Sequence, residues 1–221
     1  MTKQQDVKVW IDRALTGSSL DSALVSAGFS RREGSLTYER KLPEIVQRFN
    51  LVFDVNPRYE PQAVAHLLPQ VVFESAILGD MVEQMERGGP SLVPGAVNLV
   101  LRHQLQNLAP KGEPRQRGSR WFIHDEADAL SLIVGIGDFS RDYVLPFLDQ
   151  YRDIAALAQG FGAGDERLRM DRRLYLYMVA AFVHANLPEK ALGVLEEVFG
   201  RPGPRKQYAR AFEYVRSKCV Q

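Results

Sequence analysis

A chain of 221 residues with 45% hydrophobic and 25% charged side chains has an ordinary globular composition, enough for one large domain or two small ones with a real core. Its 28 Lys and Arg against 27 Asp and Glu give a net charge of +1, which excludes a global electrostatic pull toward nucleic acid or anionic membrane. The single cysteine, Cys219, excludes an internal disulfide and a thiolate metal cluster, and agrees with a reducing cytoplasm.

The opening MTKQQDVKVWIDRAL mixes polar and apolar residues and reads as an amphipathic helix rather than a secretory leader. No window approaches the roughly 18 uninterrupted apolar residues of a membrane span, SLIVGIG being far too short, so a soluble cytoplasmic protein is expected. Val7, Trp10, Ile11, Leu15, Leu20, Ala23 and Leu24 recur at helical spacing with an interruption near Thr16 to Ser19, which predicts two helical pieces ending at Gly28. Leu36, Tyr38, Arg40 and Leu42 form a first strand. A second runs through Phe49, Leu51 and Phe53 on one face, and the pair turns at Pro43 and Glu44.

Ala63 to Phe73 is a third strand, and Pro69 within it, having no N–H to donate, predicts an edge position or a bulge. Ile77, Leu78, Met81, Val82 and Met85 place a helix over 75–86. After a Gly- and Pro-rich loop from Gly88 to Gly95, Val97 to Leu105 alternates as a fourth strand, and Trp121 to Ile123 is a short fifth. Between those two, PKGEPRQRGSR is a solvated connection. Beyond His124 the pattern turns helical: 126–135, 138–150 with a kink at Pro146, 153–160, 167–185, 188–199 with Pro188 in its first turn, and 205–217.

The stretch LDSALVSAGFSRREGSLTYER, the alternating strand after it and VNPRYEP resemble the opening of a bacterial family of domains of unknown function, in which a small antiparallel sheet is followed by helices. WFIHDEADALSLIVGIGDF and VLPFLDQYRDIAALA resemble the strand-then-helix close of such domains, so the resemblance covers residues 17 to 160. Some of those domains lie beside contact-dependent toxins. The resemblance therefore implies an immunity-like or interaction role, and it implies no catalytic residues. NLPEKALGVLEEV is similar to the second helix of a tetratricopeptide-type hairpin, with Ala191 as the small residue that lets the paired helix approach.

The densest group of potential ligands or acid–base residues is His124, Asp125, Glu126 and Asp128. At a strand-to-helix junction the same residues cap the helix and complement its dipole, and no second His stands at the spacing of a helical metal pair, so capping is the expected role and no metal or cofactor is assigned. His66 is left open, and His103 and His184 are expected to be structural. No G-x-S-x-G elbow and no nucleotide loop is present, so no catalytic residue is assigned. Tyr38, Phe49, Phe53 and Trp121 belong to a packed sheet face or, if that face is uncovered, to a binding surface. Arg201, Arg205, Lys206, Arg210, Arg216 and Lys218 are read as a solvated basic helix face.

These features predict an α+β protein: a four- or five-stranded antiparallel sheet flanked by helices in residues 1–124, and a helical region in 125–221 that packs on it or continues the same domain. The expected function is a non-enzymatic module binding another protein, with Arg115, Arg117, Arg120 and Tyr38 as partner-binding residues and no membrane association. Two alternatives stand beside it. One is a hydrolase-type site built from His124 with Asp125, or His66 with His103; the other is a nucleic-acid-associated protein using the basic C-terminal helix.

Overall fold

The structure is a computed structural model that describes residues 3–86, 98–113, 121–168 and 174–219. It is an α+β fold with an antiparallel sheet, as the sequence predicts. The loop from Gly88 to Gly95 lies outside the described residues.

Helix α1 (Lys3–Leu15) buries Val7, Ile11, Ala14 and Leu15, the stripe that three- and four-residue spacing puts on one face. Helix α2 (Ser19–Ser26) starts on Ser18, whose Oγ accepts from the Asp21 amide at 3.1 Å. It ends in a Schellman motif: the Gly28 amide bonds the Val25 carbonyl, the Phe29 amide bonds the Leu24 carbonyl, and Gly28 takes φ +85°. Leu24 and Phe29 are both buried, the apolar contact that accompanies this cap.

Among the described residues the sheet has six strands: β1 (Ser30–Arg31), β2 (Thr37–Lys41), β3 (Val46–Val55), β4 (Ala65–Glu74), β5 (Leu99–Gln104) and β6 (Trp121–Ile123). The order is β1-β2-β3-β4-β5, with β6 also on β4. The expected β2–β3 turn at Pro43 and Glu44 is closed by the Leu42 amide on the Ile45 carbonyl, 2.9 Å. One strand is additional, the two-residue β1, which is too short to carry an alternation. Pro69 is not on an edge strand, since β4 has neighbours on both sides. It lies two residues beyond the segment that β6 covers, Ala65–Leu67.

Helix α3 (Ala76–Glu86) buries Leu78, Val82 and Met85. Helix α4 (Glu126–Phe139) does not stop at Gly135 as expected; it runs through a π turn (Ser140–Val144) into α5 (Leu145–Gln150). Pro146 is the second residue of α5, so the irregularity lies just before it, where the Leu145 amide reaches the Ser140 carbonyl. Helix α6 (Ile154–Gly162) is capped by Asp153, which accepts from the Ala156 amide at 2.7 Å. The helix expected from Arg167 is shorter: Glu166–Leu168 is a 3₁₀ turn and α7 spans Tyr175–His184. Helix α8 (Pro188–Phe199) has Pro188 in its first turn, as expected. The last predicted helix is two, α9 (Pro202–Gln207) and α10 (Ala209–Cys219), separated at Tyr208, whose ring stacks on Phe199 at 3.9 Å.

The described residues fall into two compact units that interleave along the chain: those of 1–41, 47–72 and 103–150, and those of 42–46, 73–102 and 151–221. In the first, α1 and α2 pack on α4 over a core that includes Ile11, Leu24, Phe49, Ile133 and Phe147. In the second, α7 is the central element: every residue from Leu176 to Phe182 is buried, and α3, α6 and α8 pack against it. A run that is apolar all round needs neighbours on all sides. No helix among the described residues is long and apolar enough to cross a membrane.

Candidate functional site

Helix α4 is apolar on two faces. Ala129, Ile133 and Ile136 are buried, while Leu130 is 57% exposed and Val134, one turn on, is 46% exposed. Helix α1 packs alongside, and between the two lies an open groove of about 400 Å³ lined by Trp10, Arg13, Ala14, Glu126, Ala127 and Leu130. The Arg13 guanidinium meets the Glu126 carboxylate at 3.1 Å. Both side chains are more than half exposed, so the pair borders the groove without adding much stability. Trp10, Ala14 and Leu130 give the groove an apolar lining, with Leu130 its most exposed apolar residue.

The His124 group is a helix cap. Asp125 Oδ1 accepts from the Asp128 amide at 3.0 Å, and Asp128 Oδ2 in turn accepts from the His124 amide at 2.9 Å and lies 2.8 Å from His124 Nδ1. These bonds close a reciprocal ring over the first turn of α4. The His124 amide, and after it the His124 ring, holds the Asp128 carboxyl below its ordinary range. His124 therefore pairs with Asp128 rather than with Asp125. No group of three or more His, Cys, Asp or Glu among the described residues has the arrangement of a metal site.

Tyr38 is fully buried. Its ring meets Phe49 edge-on at 6.4 Å, and its hydroxyl donates to Asp21 Oδ1 at 2.6 Å. Burial, reinforced by that bond, pushes the hydroxyl far above its ordinary range. Arg31 completes the cluster, bonded to Asp12 and 5.5 Å above the Tyr38 ring. Tyr38 thus ties β2 to α2 and offers no surface to a partner. Arg115, Arg117 and Arg120 lie outside the described residues.

A second buried polar group surrounds Arg40, only 4% exposed. Its guanidinium donates to Gln47 Oε1 (2.6 and 2.9 Å), to the Ala27 carbonyl (2.8 Å) and to Asp149 Oδ1 (2.6 Å), and it stacks 4.7 Å from the Phe29 ring. Gln47 passes the connection on, donating to the Leu148 carbonyl at 2.9 Å. This network fixes α2, the β2–β3 pair and α5 together.

In the other unit, Glu44 accepts from the Ile154 amide at 3.1 Å and lies 3.0 Å from His184 Nε2. The Ile154 amide, and then His184, holds its carboxyl below the ordinary range. Tyr151 donates to Asp165, which Arg167 also grips through Nε and Nη2. Burial alone would raise the Asp165 carboxyl, but the bonds from Arg167 and Tyr151 outweigh it and hold it at about 2. Burial and Asp165 push the Tyr151 hydroxyl up to about 12. These groups anchor the start of α6 and the turn after it.

His66 Nδ1 lies 2.7 Å from the Tyr59 hydroxyl, and its ring packs 4.5 Å from Phe122. Cys219 is a half-buried free thiol near the end of α10. The exposed residues of the α1–α4 groove were not singled out by periodicity, because Leu130 and Val134 satisfy the helical spacing as well as Ile133 does. The signal was in ALSLIVGIG itself, which is apolar around more of the helix than one buried face requires. Comparison of the chain with protein-family models, with curated proteins and with solved structures found no match.

Proposed function

We propose that this protein is a non-enzymatic interaction module, immunity-like or regulatory, that binds another protein through the groove between α1 and α4. The observation that carries this reading is Leu130, 57% exposed at the rim of a groove floored by Trp10 and Ala14. Half-buried Trp10 is the kind of anchor around which protein interfaces concentrate their binding energy, and the exposed leucine beside it extends the apolar patch. The open groove has room for the apolar side chains that an amphipathic partner helix presents at i, i+3 and i+4 spacing. Arg115, Arg117 and Arg120 are proposed to add charge steering to the same partner. A cytoplasmic setting is supported by the single, unpaired Cys219.

The test is capture from the native cell with a photo-crosslinking residue placed at Ala127, comparing the wild-type background with Leu130→Asp. One crosslinked protein, lost in Leu130→Asp while both forms melt alike, is the expected result. The same crosslink in both backgrounds sinks the groove as the interface.

A further inference from the structure

The charge of this chain is unevenly distributed. Residues 201–219 hold six cations, Arg201, Arg205, Lys206, Arg210, Arg216 and Lys218, against one acid, Glu213; the rest of the chain has 22 cations against 26 acids. A near-neutral protein thus carries a strongly basic end, and the structure puts that end on α9 and α10. The apolar residues Tyr208, Ala211, Phe212 and Val215 face inward, and Arg201, Lys206, Arg210 and Arg216 are exposed.

Two of the cations are held in fixed positions. Arg205 Nη1 bonds Glu196 Oε2 at 2.6 Å, and Arg216 Nη2 stands 3.8 Å from Glu196 Oε1. Both guanidiniums also lie over the Phe212 ring, at 4.8 and 5.8 Å. A guanidinium already held on a ring and a carboxylate loses little freedom when it accepts another anion. Lys218 Nζ lies over the Tyr214 ring at 5.6 Å.

We propose that α9 and α10 form a basic docking face for an acidic, carboxylate-rich segment of a partner protein. Glu213 and Glu196 decide against nucleic acid, because carboxylates interspersed among the cations repel a continuous phosphate backbone, whereas the side-chain carboxylates of a peptide can be spaced to avoid them. Two of the three aromatic residues in this segment point the same way, and the third, half-buried Tyr214, has Lys218 over its ring at 5.6 Å. Phe212 is 2% exposed and Tyr208 7%, so neither offers a face on which a base could stack. This face belongs to a different compact unit from the α1–α4 groove and does not depend on the groove reading.

The test uses the full chain and a fluorescent 16-residue peptide of alternating Glu and Ser, with a Gln-for-Glu peptide, a single-stranded 16-mer and a 16-base-pair duplex as comparators. The wild type should bind the acidic peptide at least tenfold more tightly than the Gln peptide and than either nucleic acid, and more weakly at 200 than at 50 mM salt. Arg201→Glu/Lys206→Glu/Arg210→Glu should weaken that binding tenfold or more. If this triple variant melts differently from wild type, Lys206→Gln/Arg210→Gln should still weaken binding severalfold. Equal binding of the Glu and Gln peptides, tighter binding of either oligonucleotide, or unchanged binding in the folded variants would overturn the proposal.

Discussion

Arg40 and Asp149 form an unequal pair: the guanidinium is buried at 4% exposure, the carboxylate is half exposed, and they meet at 2.6 Å. Removing the exposed partner leaves the buried guanidinium bonded to Gln47 and the Ala27 carbonyl but without its counter-ion. Asp149→Ala should therefore cost about 1.5 to 3 kcal/mol, more than an exposed carboxylate usually contributes. The comparison is Asp138→Ala, which breaks the Arg141 pair with both side chains more than half exposed and should cost less than about 1 kcal/mol. Urea unfolding of the two variants measures the difference, and equal losses would show that Arg40 does not need its counter-ion.

Asp165 makes stability depend on pH in a definite direction. Its folded value of about 2 lies below the ordinary unfolded value of about 3.9, so its contribution is complete above pH 4 and is lost as pH falls from about 4 through about 2. The side chain is 16% exposed, and the shift corresponds to about 2 kcal/mol. Asp165→Asn should be less stable than wild type by about that amount at pH 6. The gap should close toward pH 2; a gap that stays constant across the range would place the shift elsewhere.

Gly160 is required by its neighbour rather than by its backbone. A methyl group there would overlap the Tyr151 ring and hydroxyl, and the hydroxyl is held by Asp165. Gly160→Ala should destabilise by about 1 to 3 kcal/mol despite the better helix propensity of alanine. In a Tyr151→Ala background the same change should be neutral or stabilising, a coupling that a double-mutant cycle reads directly.

Asp125→Ala removes the bond to the Asp128 amide and should cost about 0.5 to 2 kcal/mol. Because the His124 group is tied into the cap, zinc or manganese should leave the melting temperature of the wild type unchanged. A saturable rise would mean that the native state binds the ion.

Local signals in the sequence located what local chemistry controls. Pro188 marks the start of α8, Asp153 that of α6, and Gly28 the end of α2, each through a backbone requirement that one residue meets. The β2–β3 pair and its turn were legible for the same reason, and of its apolar face Phe49 and Leu51 are buried while Phe53 is half-buried. Pro69 shows the limit. Whether a strand is an edge depends on which strands come to lie beside it, and β6 arrives from more than 50 residues away. Tyr38 is a similar case, because alternation puts its ring on a face but cannot reveal that Asp21 receives its hydroxyl. Leu130 was hidden by the usual equation of apolar with buried, which fails at surfaces made for contact.

The π turn between α4 and α5 sets the angular phase of everything after it. Each residue of an α-helix advances the chain by about 100° around the axis, so one residue more or fewer turns all later side chains by that angle. Phe147 and Leu148 face the core, and Asp149 faces Arg40, only because the Ser140–Val144 turn has absorbed its wider loop of chain beforehand. Deleting one residue from this turn would leave a smoother helix pointing the wrong way: Asp149 would swing from Arg40, and the two apolar side chains would rotate toward water. The irregular turn is the spacer that brings two otherwise independent sequence patterns, the stripe of α4 and the stripe of α5, into register on a single core.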